Sequence, residues 1–445
     1  MVKPTDDKSD KNNPNNGKKL ELEPNQLMLI NSVVMIIIII VSMITMYVLL
    51  DHSFSKKIKQ LAPGEEEVIP LPEGASLTMI PNRAPVVIND EDQFTLYPEE
   101  GWVMGALLPQ GYTRTLLPAF VNNEGAEGLP LFGYSAVFAQ DGDLYVAAMP
   151  TDEDYKWNPQ YFNTDDLAER VEALQNKFPD NRLLKQLGHC ALTYGCFTAQ
   201  NIFYHRWEGG IPVSPVCNAR CLGCISLQPS ECCPSPQSRL TFVPTVQEVV
   251  ELAVHHLQDA EDGIISFGQG CEGDPSMQAD LIAEAIKEIR RQTNNGTINM
   301  NTNAGNTEGI KKIIDAGIDS LRVSLNSGTD AVYNAYYRPV NYTLDNVRQS
   351  LRYAADNGVY TYLNLLTFPG INDCSDEVES LLNLVQENDV KAIQVRNLNI
   401  DPETMKPIIE LLKEEPLGVP AFLNILAEEL PDVAIGNYTK PFRRK

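Results

Sequence analysis

Positive charge is in short supply in this sequence. Its 445 residues carry 35 lysines and arginines against 59 aspartates and glutamates, a formal charge of −24. Like charges repel at long range, which argues against non-specific binding to nucleic acid or to an anionic membrane surface, and no nucleic-acid partner is expected. Histidine is scarce too, at five residues. No paired C-x-x-C and no H-x-x-x-H follows the cysteines at 217–224, so the separated ligand pairs of a structural zinc site are missing. The nine cysteines are odd in number, and Cys232 adjoins Cys233. That is no disulfide framework of a secreted protein, and it suits a reducing cytosol.

What the chain does have is one dense run, Cys217-Asn-Ala-Arg-Cys221-Leu-Gly-Cys224. Three soft ligands so close together hold one face of an iron–sulfur cube, and the run offers no fourth. One iron would be left without a protein thiolate. An open coordination site is the reason to expect an enzyme.

Taken in order, residues 1–26 are rich in Asn, Lys, Asp and Pro and read as disordered. Residues 27–50 are apolar with weak interruptions; as a helix they would span about 36 Å, enough for a ~30 Å hydrocarbon core, and they predict a single transmembrane helix. The apolar run is too long for a cleaved signal peptide. A reduced iron–sulfur centre needs a cytosolic electron donor, so the expectation is a single-pass membrane protein whose catalytic domain faces the cytosol. Residues 51–105, with many prolines and acids, read as a spacer. Residues 106–205 predict a small β unit and a helical lead-in, with Asp141-Gly142 as the hairpin turn and a helix over 164–178. His189, Cys190, Cys196 and His205 follow, and read as structural residues more readily than as a second cluster.

From residue 206 to 402 short apolar strands alternate with helices. Strands are predicted at 212–214, 263–267, 297–301, 320–325, 360–366 and 391–395. Six β/α units predict an α/β fold, a partial (β/α)6 TIM-like barrel, too few for the closed eight-stranded form, with its chemistry at the C-terminal strand ends. Residues 403–445 predict a helical extension.

The cysteine run resembles the signature of the radical S-adenosylmethionine (SAM) superfamily. The resemblance covers residues 206–402. It implies a [4Fe-4S] cluster on Cys217, Cys221 and Cys224, with SAM chelating the fourth iron. Many members carry an aromatic residue just before the last cysteine, where this chain has Gly223. The run Phe267-Gly-Gln-Gly-Cys-Glu-Gly-Asp-Pro275 resembles the family's G-G-E-P motif, which holds the SAM amino group. Gly273 and Pro275 match; Asp274 stands in place of Glu and Glu272 in place of the first Gly, so the choice between Glu272 and Asp274 stays open. Asn299, Asn301 and Asn303 end the third strand, and Ser324 and Asn326 the fourth. By resemblance Ser324 and Asn326 meet the ribose. Arg338, in Tyr337-Arg-Pro339, is a candidate for the SAM carboxylate or for substrate. Arg396, at the sixth strand end, is a candidate clamp for substrate or a carboxylate, and equally a support for other groups. No cysteine follows Cys374, so the cysteine-rich C-terminal extensions that carry auxiliary clusters in many peptide-modifying members have no counterpart.

The function so implied is reductive cleavage of SAM to a 5′-deoxyadenosyl radical acting on an unknown substrate. The alternatives are an iron–sulfur electron-transfer or binding protein without SAM chemistry, and a membrane-bound scaffold.

Overall fold

The computed structural model describes residues 68–88, 94–97, 101–140, 142–152, 155–228 and 234–443. The N-terminal part is antiparallel. Its strands are β1 (Val68–Pro70), β2 (Ser76–Ile80), β3 (Arg83–Ile88), β4 (Phe94–Leu96), β5 (Val103–Leu107), β6 (Tyr112–Arg114), β7 (Phe120–Asn122), β8 (Tyr134–Gln140) and β9 (Asp143–Pro150). They form one sheet in the order β1-β9-β8-β5-β2, with β6 also on β9, and a second in the order β4-β3-β7. Gly142, at φ +94°, makes the turn of the predicted β8–β9 hairpin. The stretch read as a spacer thus carries β1 to β4 and the start of β5, because short runs such as Val103–Leu107 bury Val103, Gly105 and Ala106 and pair with neighbours on both sides.

Helices α1 (Leu167–Lys177), α2 (Arg182–Thr193) and α3 (Phe197–Tyr204) lead into the parallel sheet. Its strands are β10 (Arg206–Gly210), β11 (Glu261–Phe267), β12 (Thr297–Thr302), β13 (Ser320–Leu325), β14 (Tyr360–Thr367), β15 (Ala392–Asn397) and β16 (Ala434–Gly436), paired in chain order. The intervening helices are α4 (Val246–Asp259), α5 (Ala279–Gln292), α6 (Thr307–Asp315), α7 (Asp330–Tyr337), α8 (Leu344–Asp356), α9 (Ser375–Glu387), α10 (Pro402–Ile409) and α11 (Val419–Glu429). Local signals fix several of them. Thr245 and Glu248 form a reciprocal capping box at the start of α4, which satisfies two backbone N–H groups that the helix leaves unpaired.

Alternate residues of each strand point to opposite faces. On one face Ile265, Phe267, Ile298, Met300, Leu321, Val323, Leu363, Leu365, Ile393 and Val395 pack in the main core. Each such side chain contributes about 1.5–3 kcal/mol by leaving water. The other face is polar: Ser266, Asn299, Asn301, Ser320, Arg322, Ser324, Asn364, Gln394 and Arg396. Arg322 on β13 reaches Glu208 on β10, three strands away, and Gln394 on β15. Only a curled sheet brings those positions together, so the polar face is the concave inside of a half-barrel.

Two expectations are corrected. The sheet has seven parallel strands in place of six: the first is Arg206–Gly210, ahead of the predicted 212–214, and β16 is added by the C-terminal segment. Residues 212–214 are instead the exit of that first strand, where the backbone turns its N–H groups to a carboxylate. The second correction concerns the membrane. No helix among the described residues is long and apolar enough to cross one. The longest, α4 and α5, have 14 residues, about 21 Å at ~1.5 Å per residue and short of a ~30 Å core. The transmembrane helix predicted over 27–50 lies outside the described residues. The fold is therefore an α/β half-barrel with no spanning helix among the described residues, and the membrane as partner and the single-pass, cytosol-facing placement are withdrawn with it.

The antiparallel part is fastened to the exit of β15. Arg83 Nη2 donates to Asp401 Oδ2 at 2.8 Å, both side chains 1% exposed, and the Leu129 N–H donates to the same oxygen at 2.9 Å. Arg114 Nη2 donates to the Leu398 carbonyl at 2.8 Å, and its backbone N–H to Asn397 Oδ1 at 2.8 Å. Removing one member of a buried pair strands the other's charge. Asp401→Ala is therefore expected to lower unfolding free energy by about 3–5 kcal/mol in urea titration, far more than the same change at an exposed acid such as Glu308.

Candidate active site

Between β10 and α4 the chain runs through Ile211–Ser214 into the cysteine loop. The loop is held from two sides. On one, the Gly273 N–H donates to the Ser214 carbonyl at 2.7 Å and the Asp274 N–H to the Val216 carbonyl at 3.0 Å. On the other, Arg220 and Leu222 donate to the carbonyls of Tyr337 and Tyr336, each at 3.0 Å, and Val340 donates to Asn218 at 2.8 Å. A Cβ on Gly273 would stand 2.0 Å from the Val216 carbonyl oxygen, so only glycine permits this approach.

Glu272 and Asp274 are both buried and both spent on protein donors. Glu272 Oε2 accepts the N–H groups of Val213 and Ser214 at 2.7 and 2.8 Å; Oε1 accepts those of Gly268 and Gln269 at 2.8 and 2.7 Å. Burial pushes its acid up to about 7, against the downward pull of those same N–H groups. Asp274 Oδ1 accepts from the Ser276 N–H and hydroxyl at 2.9 and 2.5 Å, Oδ2 from the Asn303 N–H at 2.7 Å, and Thr302 Oγ1 lies 2.9 and 3.0 Å from the two oxygens. Burial raises it as well.

The three thiols are half-buried and free of disulfides. Burial, then the Asp274 charge, pushes Cys217 up to about 11. Cys221 is raised well above the ordinary thiol range by burial and by its two neighbours, Cys217 and Cys224. Asn303 Nδ2 lies 3.9 Å from Cys217 Sγ and donates to Asn218 Oδ1 at 2.7 Å. Arg239 Nη2 lies 3.4 Å from Cys224 Sγ, and its Nε donates to Ser226 Oγ at 3.1 Å. Among the described residues no three His, Cys, Asp or Glu side chains converge as round a single metal ion. Thiols that share a cube need no such convergence, since each binds a different iron.

Two cavities flank this layer. One, of about 870 Å³, is lined by Cys221, Cys224, Arg220, Arg239, Arg338 and Tyr342, among others. The other, of about 340 Å³, lies on the concave sheet face and includes Gln269, Asn301, Arg322 and Arg396. Of the predicted residues, then, Cys217, Cys221, Cys224, Glu272, Gly273, Asp274 and Asn303 come together round the loop, and Arg338 joins them across the larger cavity. Ser324 lies on the concave face. Asn326, just past β13, is 2% exposed, and neither its amide oxygen nor its amide nitrogen has a partner. Arg396 stands apart, in the smaller cavity.

Residues 211–385 match the family model of the Radical SAM superfamily. The chain carries a radical SAM domain. It is an enzyme of iron–sulfur and SAM chemistry, with its substrate unassigned. Solved structures similar to it include methylornithine synthase (PylB; TM-score 0.37, 14% identity, 62% of this chain and 72% of that one). The [FeFe]-hydrogenase maturase HydG gives 0.34, 16%, 61% and 66%, and a radical SAM methyltransferase from Sphaerobacter thermophilus gives 0.37, 16%, 52% and 66%. At such scores these likenesses carry no argument about the reaction. No curated protein matches the chain.

Sequence reasoning missed three groups on the parallel half-barrel and its loops. Arg239 lies beyond the cysteine run and has no spacing that marks it. Tyr336 lies beside Gly223, where a Cβ would meet its hydroxyl at 2.8 Å; the aromatic ring beside the last cysteine comes from a different part of the chain. Glu208 and Arg322 form a buried ion pair, whose signal was the polar alternation Arg322, Ser324 along an apolar strand. His189, Cys190, Cys196 and His205 make no ligand set; His205 Nε2 faces the His255 carbonyl and His189 Nδ1 lies 3.1 Å from Thr193 Oγ1.

The tight seat of Gly273 generates a direct test. Gly273→Ala forces the Val216 backbone away and is expected to cost about 1–3 kcal/mol or more in denaturant unfolding, with less iron held per chain after anaerobic reconstitution.

Proposed function

We propose that Cys217, Cys221 and Cys224 hold a [4Fe-4S] cluster and that SAM is seated at the strand exits beside it. One observation carries this reading: three neighbouring thiols share one loop at the strand exits, and Asn326, buried at the exit of β13, has an amide with no protein partner. A buried amide left unpaired costs about 1–3 kcal/mol, and a bound polar group removes that cost. The donor set also fits, because closely spaced cysteine thiols bind iron as thiolates, releasing their protons. When bound, the cluster and SAM supply one-electron reductive cleavage that yields methionine and a 5′-deoxyadenosyl radical.

The chain's own residues orient and enclose. Glu272 and Asp274 brace the glycine turn, which leaves the turn's backbone carbonyls as the acceptors for an ammonium group. Asn303 joins the Cys217 side of the loop to β12. Asn326 and Ser324 present polar groups to a ribose. Arg338 and Arg239 give the larger cavity positive charge beside Cys221 and Cys224, and Arg239 stabilises added negative charge on the Cys224 sulfur. An electron-transfer protein without SAM chemistry would have no use for the unpaired Asn326 amide.

Anaerobic reconstitution of the full chain, followed by dithionite and SAM, is expected to give 5′-deoxyadenosine. The Cys217→Ala, Cys221→Ala, Cys224→Ala triple variant is expected to give none. Iron bound without SAM affinity or deoxyadenosine would sink the reading. In Arg239→Leu the loss of a cation at the ligand sulfur is expected to move the cluster potential to more negative values, read by redox titration with electron paramagnetic resonance. An unmoved potential would remove Arg239 from the electrostatics of the cluster.

A further inference from the structure

The smaller cavity lies on the polar concave face, and its charge does not balance. Two guanidinium groups, Arg322 and Arg396, face one carboxylate, Glu208. Glu208 Oε1 already accepts from Arg322 Nη2 and from Ser266 Oγ at 2.6 Å. Arg396 has only amide oxygens: Gln110 Oε1 and Gln394 Oε1, each at a long 3.3 Å. Among the described residues no carboxylate lies within ion-pair distance of Arg396; Asp152 is near enough to act on it only through its field. Arg322 is 6% exposed, and its Nε has no partner at all. A half-buried cation with weak neutral partners, backed by a second buried cation with a spare donor, is costly unless an anion completes it.

The surroundings narrow the class of anion. The rest of the wall is aromatic and small-polar, with Trp157 and Phe197 on one side and Thr198 beside them. Those rings belong to a stacked set in which Phe162 lies 3.7 Å from Phe197, and Trp157 lies 6.2 Å from Tyr438. At about 340 Å³ the space is that of a small molecule. Its far wall is shared with the strand-exit layer, since Gln269 also donates its backbone N–H to Glu272, and Asn301 Nδ2 donates to the Gly268 carbonyl at 2.8 Å. In a chain of net charge −24, an anion is drawn here only by local charge.

We propose that this cavity is the substrate seat, and that the substrate is a small carboxylate whose charged end is clamped by Arg396, with Arg322 behind it, and whose apolar body lies against Trp157 and Phe197. A guanidinium offers a planar pair of donors that matches a carboxylate, and the weak glutamine contacts of Arg396 are readily exchanged for it. The assignment rests on the radical SAM reading for the word substrate; the anion site itself stands on the cavity alone.

The test uses the full chain and two probes of one shape, 3-phenylpropionate and its neutral amide, titrated calorimetrically without cluster or SAM. The carboxylate is expected to bind at least about tenfold more tightly than the amide. Arg396→Gln is expected to abolish that preference and Arg396→Lys to restore part of it. Equal binding of acid and amide, or no binding of either, would overturn the proposal without any variant. SAM affinity is measured in parallel on reconstituted protein: if Arg396→Gln weakens SAM as much as the carboxylate, the cavity belongs to the cofactor and the substrate assignment falls. Failure of the unaltered protein to make deoxyadenosine, with the acid preference intact, would count against the radical SAM reading and leave the anion site standing.

Discussion

One carboxylate sets the geometry on which the rest of the site depends. Glu272 gathers the N–H groups of Val213 and Ser214 from the exit of β10 and those of Gly268 and Gln269 from the exit of β11. No neutral side chain can do this, because an amide brings its own N–H groups and would meet donor with donor. The two strand exits are thereby fixed to each other before any ligand arrives. The cysteine loop starts at one of them and the glycine turn at the other. Asp274 repeats the device one strand further on, tying the turn to Thr302 and Asn303 at the exit of β12.

The same logic explains why a chain so acidic overall keeps acids out of the cavity linings. Among the described residues Glu208 is the one carboxylate lining either cavity, and its charge is matched by Arg322. Elsewhere the concave face carries amides and hydroxyls, which bond sideways from strand to strand: Ser266 to Asn299 at 3.0 Å, Asn299 to Ser320 at 2.9 Å. Polar groups so satisfied stiffen the sheet from within at little cost. Those left over, on Asn326 and Arg322, and the weakly held guanidinium of Arg396 are thereby made conspicuous.

Much of this was legible in the residues. The spacing of Cys217, Cys221 and Cys224 marked the loop that leaves the first strand exit, the glycines of 268–273 marked the close turn, and strands such as Ser320–Leu325 were readable because apolar and polar residues alternate on a strand bounded by clear helices. The first strand was misread because Arg206-Trp-Glu-Gly-Gly210 has no apolar run; it is a strand by virtue of pairing with β11 and of a buried glutamate that only the curled sheet explains. Partners far apart in sequence left no trace: Arg239 at Cys224, Tyr336 beside Gly223, Gln110 against Arg396. The choice between Glu272 and Asp274 as the cofactor's ligand was posed as a contest between two side chains. Both carboxylates accept from protein donors in the folded chain, which a one-dimensional motif does not show.

The two cavities have no lining residue in common. The glycine turn belongs to the smaller one's wall through Gln269, and its backbone is held by backbone groups and by the carboxylates of Glu272 and Asp274. Parting the hydrogen bonds to Glu272 would leave a carboxylate or an N–H group unpaired, so the turn resists opening. The antiparallel part adds to the enclosure at the β15 exit, where Arg83 and Arg114 are locked to it and Gln110 reaches Arg396. The chain thus devotes its buried charges to fixing walls, and its unpaired donors mark where those walls stop being structure and become a site.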